Sequence, residues 1–298
     1  MKAPFKPLNE QVIVITGASS GIGLATAKAA AGNHAKLVLA ARSEDALAGI
    51  VQGINAAGGE AIYVVADVGD REQVDRIARE AISRFGRIDT WVNDAGISIY
   101  GRLDQVSEQD SRRLFDTNFW GVVNGSLAAL PHLRKQGGAQ INVGSEVSDA
   151  FIPLQGMYSA SKHAVKGFTD ALRVEVEELD DAPVSIALIQ PTAVDTPYPQ
   201  HAKNYMDKEP KLPTPQVDPE DVAAKILEAA IKPMRDVTVG LAAKLDTATA
   251  KVMPGVGDKL AAMQVGRQQE EELPRNPEDG LYKPSGTGEI HGRGEAGR

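Results

Sequence analysis

The sequence predicts an α/β protein built on a doubly wound parallel sheet, and three observations carry that prediction. Short, continuous apolar runs recur along the chain, longer helical patterns separate them, and a glycine-rich turn sits between the first run and the first helix. Runs that are apolar at consecutive positions suit strands buried on both faces, and the intervening segments are long enough for crossover helices. The result is one large domain over residues 1–240 with a C-terminal extension.

The runs are "VIVIT" (12–16), "KLVLAA" (36–41), "EAIYVVA" (60–66), "RIDTWV" (87–92), "AQINVG" (139–144) and "PVSIALI" (183–189). A helix over 218–231 opens on the cap-like "DPED", and "DVTVG" (236–240) adds an edge strand after it. Residues 241–263 read as two short amphipathic helices broken at Pro254-Gly255. They are expected to pack on the domain or on a second subunit, membrane-surface contact being the other reading. From Gln264 to the end the composition turns polar and rich in Gly and Pro, so 264–298 is expected to be a flexible tail.

Composition narrows the function classes. The chain has 298 residues, 42% of them hydrophobic, enough for a sizeable core. With a net charge of −8 and scattered basic residues, neither a nucleic-acid footprint nor a polybasic membrane patch is expected. Zero cysteines exclude disulfides and thiolate chemistry, and the five histidines form no HExxH pair, so no metal site is expected. The first eleven residues hold no apolar core for a signal peptide, and no run of about 18 apolar residues occurs. The expectation is a cytoplasmic protein whose partner is a small molecule.

The first chemical feature is "TGASSGIG" (16–23). Gly17, Gly21 and Gly23 let the backbone turn tightly and approach a pyrophosphate, the helix starting near Gly21 offers free N–H groups, and Ser19 and Ser20 add hydroxyls. A structural turn would also use glycines; the position after the first strand favours a dinucleotide loop. An NAD site needs an acid near the end of the second strand. Here Ala40 and Ala41 stand there, followed by Arg42 and Ser43, a pair suited to a 2′-phosphate, so NADP(H) is expected over NAD(H). A solvated surface role for Arg42 is the bland alternative.

"MYSASKHAV" (157–165) places Tyr158 and Lys162 one turn apart on a helix. Reducing a carbonyl leaves negative charge on oxygen, so a proton donor is needed there, and a free tyrosine with a pKa of about 10 is a poor one. A lysine on the same face is expected to draw the phenol downward. Ser145, after the fifth apolar run, can hydrogen-bond the same oxygen. Each residue has a plainer role: a solvated Tyr–Lys pair, Ser145 as a cap, Asn118 facing solvent, His163 on the surface. A serine hydrolase is disfavoured because "VGSEV" lacks the second glycine of G-x-S-x-G.

"TGASSGIG", "ADV" (66–68), "NDAG" (93–96), Asn118 in "FDTNFWG", Ser145 in "INVGS", "YSASK" (158–162) and "PTAVDT" (191–196) together resemble the ordered motif set of the short-chain dehydrogenase/reductase family over roughly residues 10–240. The resemblance implies a single Rossmann-type domain, a nicotinamide cofactor, a catalytic group of Asn118, Ser145, Tyr158 and Lys162, and a homodimer or homotetramer. It further implies cofactor contacts at Ile22, Asp67, Val68, Asn93, Ala95, Gly96, Pro191, Val194 and Thr196, with Lys162 holding the nicotinamide ribose and Asn118 organising a water relay. Two departures stand out. Asp94 replaces a more frequent Asn and is expected to hold the central strands, and Thr192 replaces a common Gly. The expected activity is an NADP(H)-dependent oxidoreductase interconverting an alcohol and a ketone or aldehyde. A non-catalytic dinucleotide-responsive binding protein is the alternative, and a sugar-nucleotide epimerase or dehydratase is disfavoured by the glycine spacing. Ser98, Ile99 and Tyr100 after "NDAG", the segment "AFIPLQGM" (150–157) and the run 196–215 are candidates for the substrate wall and lid. Phe151, Ile152, Leu154, Tyr198, Tyr205 and Met206 point to an apolar or aromatic substrate, packing on a neighbouring subunit being the other reading.

Overall fold

The computed structural model describes residues 5–240, 254–275, 279–285 and 288–293. Seven strands form one parallel sheet: β1 (Val12–Thr16), β2 (Lys36–Ala41), β3 (Glu60–Val65), β4 (Thr90–Asn93), β6 (Gly138–Val143), β7 (Val184–Pro191) and β9 (Asp236–Val239). Their order across the sheet is β3-β2-β1-β4-β6-β7-β9. The chain therefore winds outward from β1 in one direction and from β4 in the other. The crevice at that reversal, outside the carboxyl ends of the strands, is where ligands of such sheets bind.

The consecutive apolar runs have the expected cause. Along β1, Ile13 and Ile15 join the core on one face, and Val12 and Val14 join the core on the other. The first face is covered by α1 (Gly21–Gly32), α2 (Glu44–Ala56) and α8 (Pro219–Ile231), through Ala27, Leu47 and Val222 among others. The second is covered by α3 (Arg71–Phe85), α5 (Gly121–Gln136) and α6 (Gly156–Arg173), through Ile77, Leu133 and Leu172. Helix α8 begins with Pro219 at its first turn, followed by Glu220 and Asp221, the acids that the positive end of a helix favours.

One long helical stretch interrupts this regularity. Helix α4 (Glu108–Phe115) runs through π-helical turns at Asp116–Trp120 into α5. The widened turn carries Asn118 inward, and such bulges concentrate at functional sites. A two-stranded parallel ribbon, β5 (Ile99–Tyr100) with β8 (Lys203–Asn204), ties the loop after β4 to the loop after the short helix α7 (Tyr198–His201). Two-residue strands carry no periodicity, so the apolar runs could not announce them.

The C-terminal region departs from expectation. Residues 241–253, which include the first expected helical piece, lie outside the described residues. The second piece is α9 (Pro254–Gln264), starting at the predicted break. The expected flexible tail is instead, in its described parts, hydrogen-bonded to the domain. Gln268 is buried, donates to the Pro153 carbonyl at 2.9 Å and accepts from the Gln155 carboxamide at 2.9 Å. Leu281 is buried against Ile97, Ile99 and Leu114. Side-chain and backbone hydrogen bonds and one buried leucine anchor the described parts of the segment, although its composition is too polar for a core of its own. Among the described residues no helix is long and apolar enough to cross a membrane.

Candidate active site

A single cavity runs along the carboxyl ends of β1, β2, β4, β6 and β7. At one end is the glycine turn. Gly17 has φ +74°, and a Cβ there would stand 2.8 Å from the Ala95 backbone, so no other residue fits. Gly23 does not line the cavity; a side chain on it would strike the Gly17 carbonyl, and its absence lets α1 seat directly behind the turn. The remaining turn residues Ser19, Ser20, Gly21 and Ile22 face the cavity at the N-terminus of α1, a cradle that fits the phosphates of a dinucleotide. Asp67, Val68, Ala95, Gly96, Pro191, Val194 and Thr196 also line it.

Two neighbouring residues exchange their expected places. Asn93, predicted to meet the cofactor, is buried under the sheet. Its amide donates to Asn142 Oδ1 at 2.9 Å and to Ser126 Oγ at 3.2 Å, and its oxygen accepts from Trp91 Nε1 at 2.8 Å. Asn93 therefore holds the central strands. Asp94, predicted to do so, lies in the cavity wall, where its carboxylate accepts the Gly23 N–H and faces Lys162. The reason is where β4 ends: Asn93 is its last residue and packs among the strands, whereas Asp94 opens the loop that borders the cavity.

Tyr158 and Lys162 stand one turn apart on α6, Ser145 at the carboxyl end of β6, and all three line the cavity. Ser145 takes the capping role the sequence allowed and still lines the cavity. Its Oγ accepts the Val147 N–H at 3.3 Å, capping the turn Glu146–Ser148, which leaves its own proton free to point at Tyr158. Asn118 is fully buried rather than solvated. It accepts the Ile97 N–H at 2.9 Å, donates to the Ile97 carbonyl at 2.9 Å and donates to Ser161 Oγ at 3.1 Å. It thus clamps the loop after β4 to α6 beside Lys162. Ser161 is packed within the helix interface, whereas Ala160 is exposed. His163 is on the surface as expected.

The electrostatics differ from the simple pair. Lys162 Nζ donates to the Val143 carbonyl at 2.8 Å and sits 5.7 Å from the centre of the Tyr158 ring. Tyr158 keeps part of its surface open to the cavity, yet the surrounding walls desolvate its hydroxyl. That burial pushes its pKa up to about 12, against the downward pull of the Ser145 and Tyr198 hydrogen bonds, and Glu146 and Asp94 add to the rise. The predicted fall driven by Lys162 is not the balance here. Burial lowers Lys162 to about 8, opposed by the Asp94 charge, and raises Asp94 to about 7, opposed by Lys162.

Asp94 carries a pH consequence. Its folded pKa lies above the ordinary 3.8, so the folded chain keeps a proton that the unfolded chain releases, and stability falls as pH rises from about 4 through about 7. Three pKa units correspond to about 4 kcal/mol at most. Asp94→Asn keeps an oxygen for the Gly23 N–H and removes the buried charge. Thermal melting is expected to show the variant above the parent at pH 8–9 and level with it near pH 4. Equal melting temperatures at both ends would refute the buried charge.

Gln155, His201 and Leu212, within the two segments proposed for wall and lid, line the cavity; Thr117, Pro284 and Ser285 line it too and were missed by sequence reasoning. Ser98 donates to Gln155 Oε1 at 3.0 Å and Tyr198 donates to the same oxygen at 3.1 Å, so these candidates do meet at the wall. Ile152 lines the cavity as well; Phe151 is exposed, Tyr100 is buried behind the wall, and Tyr205 donates to Asp110 at 2.6 Å away from it. Arg42 lines the cavity at the end of β2, but its guanidinium donates to the Gly280 and Leu281 carbonyls, the latter at 3.2 Å. No motif in the sequence joins position 42 to position 280.

A doubly wound parallel sheet with a glycine cradle and a Tyr–Lys helix on one cavity defines the class: α/β oxidoreductases of the nicotinamide-dependent kind. The chain belongs to the short-chain dehydrogenase family, whose model matches residues 11–206. It is 46% identical to the uncharacterized oxidoreductase YxnA of Bacillus subtilis, over 98% of this chain and 83% of that protein. It is 34% identical to the putative oxidoreductase SadH of Mycobacterium tuberculosis, over 86% of this chain and 96% of that one. A short-chain dehydrogenase/reductase from Burkholderia phymatum, solved in complex with NAD, superposes with a TM-score of 0.72 at 27% identity, covering 90% of this chain and 99% of its own. An alcohol dehydrogenase from Thermococcus sibiricus, complexed with 5-hydroxy-NADP, gives 0.68 at 28% identity, over 77% and 95%.

Proposed function

We propose that this chain is an NADP(H)-dependent oxidoreductase that interconverts an alcohol and a ketone or aldehyde, with Tyr158 as the general acid and base. The observation that carries the reading is the convergence of Ser145, Tyr158 and Lys162 on the same cavity as the glycine cradle. When bound, the nicotinamide supplies a hydride for reduction or accepts one in oxidation. The chain's own residues handle the proton. Ser145 and Tyr158 hold the substrate oxygen between two hydroxyls, and as negative charge gathers on that oxygen Tyr158 gives up its proton to it. A tyrosine raised by burial is fully protonated at neutral pH, ready to act as the acid. The charge left on Tyr158 is stabilised by Lys162, one turn away. In oxidation the same proton returns from the alcohol to Tyr158.

The cofactor preference rests on β2, because the solved relatives include both an NAD and an NADP-type complex. Ala40 and Ala41 offer no carboxylate for a ribose, and Arg42 stands next in the cavity wall with Arg113 close enough to depress its pKa further after burial has done so. The substrate is read as neutral and apolar: Ile97, Ile152 and Leu212 line its end of the cavity, and Glu146 beside Tyr158 repels anions. Trp120 and Leu127, exposed on the long α4–α5 stretch, support a homodimer or homotetramer.

The experiment is a panel of ketones, aldehydes and alcohols with NADPH, NADH and their oxidised forms, followed at the nicotinamide absorbance. Turnover of neutral apolar substrates with NADPH ahead of NADH is expected. Dinucleotide binding without turnover of any of them would leave the non-catalytic binding protein instead.

A further inference from the structure

The segment after residue 278 was expected to be free of the domain, yet its described residues lie across the mouth of the dinucleotide cradle. Gly288 donates to the Ser19 carbonyl at 3.1 Å, and the Gly21 N–H, at the start of α1, donates to the Glu289 carbonyl at 2.9 Å. Eight residues before Gly288 the segment is anchored: Gly280 donates to the His201 carbonyl at 2.7 Å, and Leu281 is buried. Between these anchors Pro284 and Ser285 line the same cavity as Ile22, Arg42 and Tyr158. The segment therefore bounds the space rather than filling it.

What it does to Arg42 is more specific. The Gly280 and Leu281 carbonyls hold the guanidinium, and the Leu281 carbonyl also accepts from Arg113 Nε at 3.0 Å. Carbonyls are neutral acceptors. They orient a guanidinium without cancelling its charge, and two of them leave further N–H donors of the fork unused. The acid nearest in effect, Asp67, is itself ion-paired with Arg113. His201, on the same wall, has a buried Nε2 with no hydrogen-bond partner among the described residues. A cation aimed by neutral groups, beside an unpaired imidazole nitrogen in a cavity wall, is the arrangement that recognises a phosphate.

We propose that the described residues 279–285 and 288–292 form a strap that is the outer wall of the dinucleotide site, with the Gly280 and Leu281 carbonyls positioning Arg42 for the 2′-phosphate of NADPH. The proposal rests on the NADP reading above. The strap has two effects: it shields the bound phosphates from water along the Ser19–Gly21 turn, and it makes the preference for NADPH depend on residues 238 and 239 positions away from Arg42 in the chain. Arg42 is the binding residue; Gly280 and Leu281 are positioning residues that act through it.

The test compares the full chain with a chain ended after residue 278 and with Gly280→Val. A Cβ at Gly280 would meet Ser285 Oγ and stand 3.0 Å from the His201 carbonyl, so the valine displaces the strap while leaving Leu281 in the chain. Dissociation constants for NADPH and NADH are read from nicotinamide fluorescence, and melting curves without dinucleotide report the fold. Both variants are expected to bind NADPH about tenfold more weakly, the size of one lost charge-assisted contact, and NADH by a smaller factor. If the shortened chain does not melt cooperatively, Gly280→Val alone decides. NADPH binding that is unchanged or tighter in a folded variant overturns the strap; tighter binding would mean that the segment competes with the dinucleotide. A full chain that binds neither dinucleotide overturns the functional reading itself, and the two failures are thereby distinguished.

Discussion

Tyr158→Phe is expected to lower turnover by about a thousandfold, the usual range for removing a positioned general acid, while NADPH binding stays at the parent value. Phenylalanine keeps the ring, its edge-on packing 5.5 Å from the Tyr198 ring and the Lys162 ammonium over its face, so the pocket shape is preserved. Only the hydroxyl is lost. Without it the charge that develops on the substrate oxygen has Ser145 as its one remaining hydroxyl donor and no proton to accept. Steady-state kinetics with the best ketone of the panel, together with a fluorescence titration of NADPH, check this. Turnover within a few fold of the parent would remove Tyr158 from the role of acid.

Arg42→Ala is expected to weaken NADPH by about ten- to a hundredfold, as the loss of hydrogen bonds from a charged group to a phosphate does, and to leave NADH nearly unaffected. The asymmetry follows from chemistry. The 2′-phosphate is the only group that distinguishes the two dinucleotides, and Arg42 is the cation at the β2 end of the cavity. The same burial that lowers the Arg42 pKa below its ordinary value strengthens its attraction for a phosphate. KM for each cofactor at saturating substrate is the measurement. Equal losses for NADPH and NADH would show that Arg42 supports the fold or the shared pyrophosphate instead.

How far the site was legible depends on how each residue is placed. Tyr158 and Lys162 could be paired from sequence because helical spacing puts them on one face. Ser145 and the glycine turn could be assigned because they follow strands that all end at one edge of the sheet. Asn93 and Asp94, assigned from motif resemblance, were exchanged because the end of β4 at Asn93, which separates a residue among the strands from one at the cavity, was not visible from the run "RIDTWV". Asn118 was named from motif resemblance, but its reason for being buried, a π-helical turn within a long helix, has no periodic signature. The shift of Tyr158 was misjudged in sign because a neighbouring charge is visible in sequence and desolvation is not.

By itself the sequence determined the parallel sheet, the order of its strand and helix runs, and the residue types able to do proton-linked hydride chemistry. These are local properties: β-branched runs, glycine positions and helical spacing are written within a few residues of each other. The tertiary structure decided what requires distant segments to meet. It put Asp94 opposite Lys162, joined Asn118 to Ile97 and Ser161, and brought Gly280 and Leu281 onto Arg42. A polar, glycine-rich segment has no periodicity and no core of its own, so composition reads it as free. Its described parts are held by backbone amides and carbonyls that any sequence possesses together with the Gln268 side chain and the buried Leu281, and only the folded domain shows which partners they find.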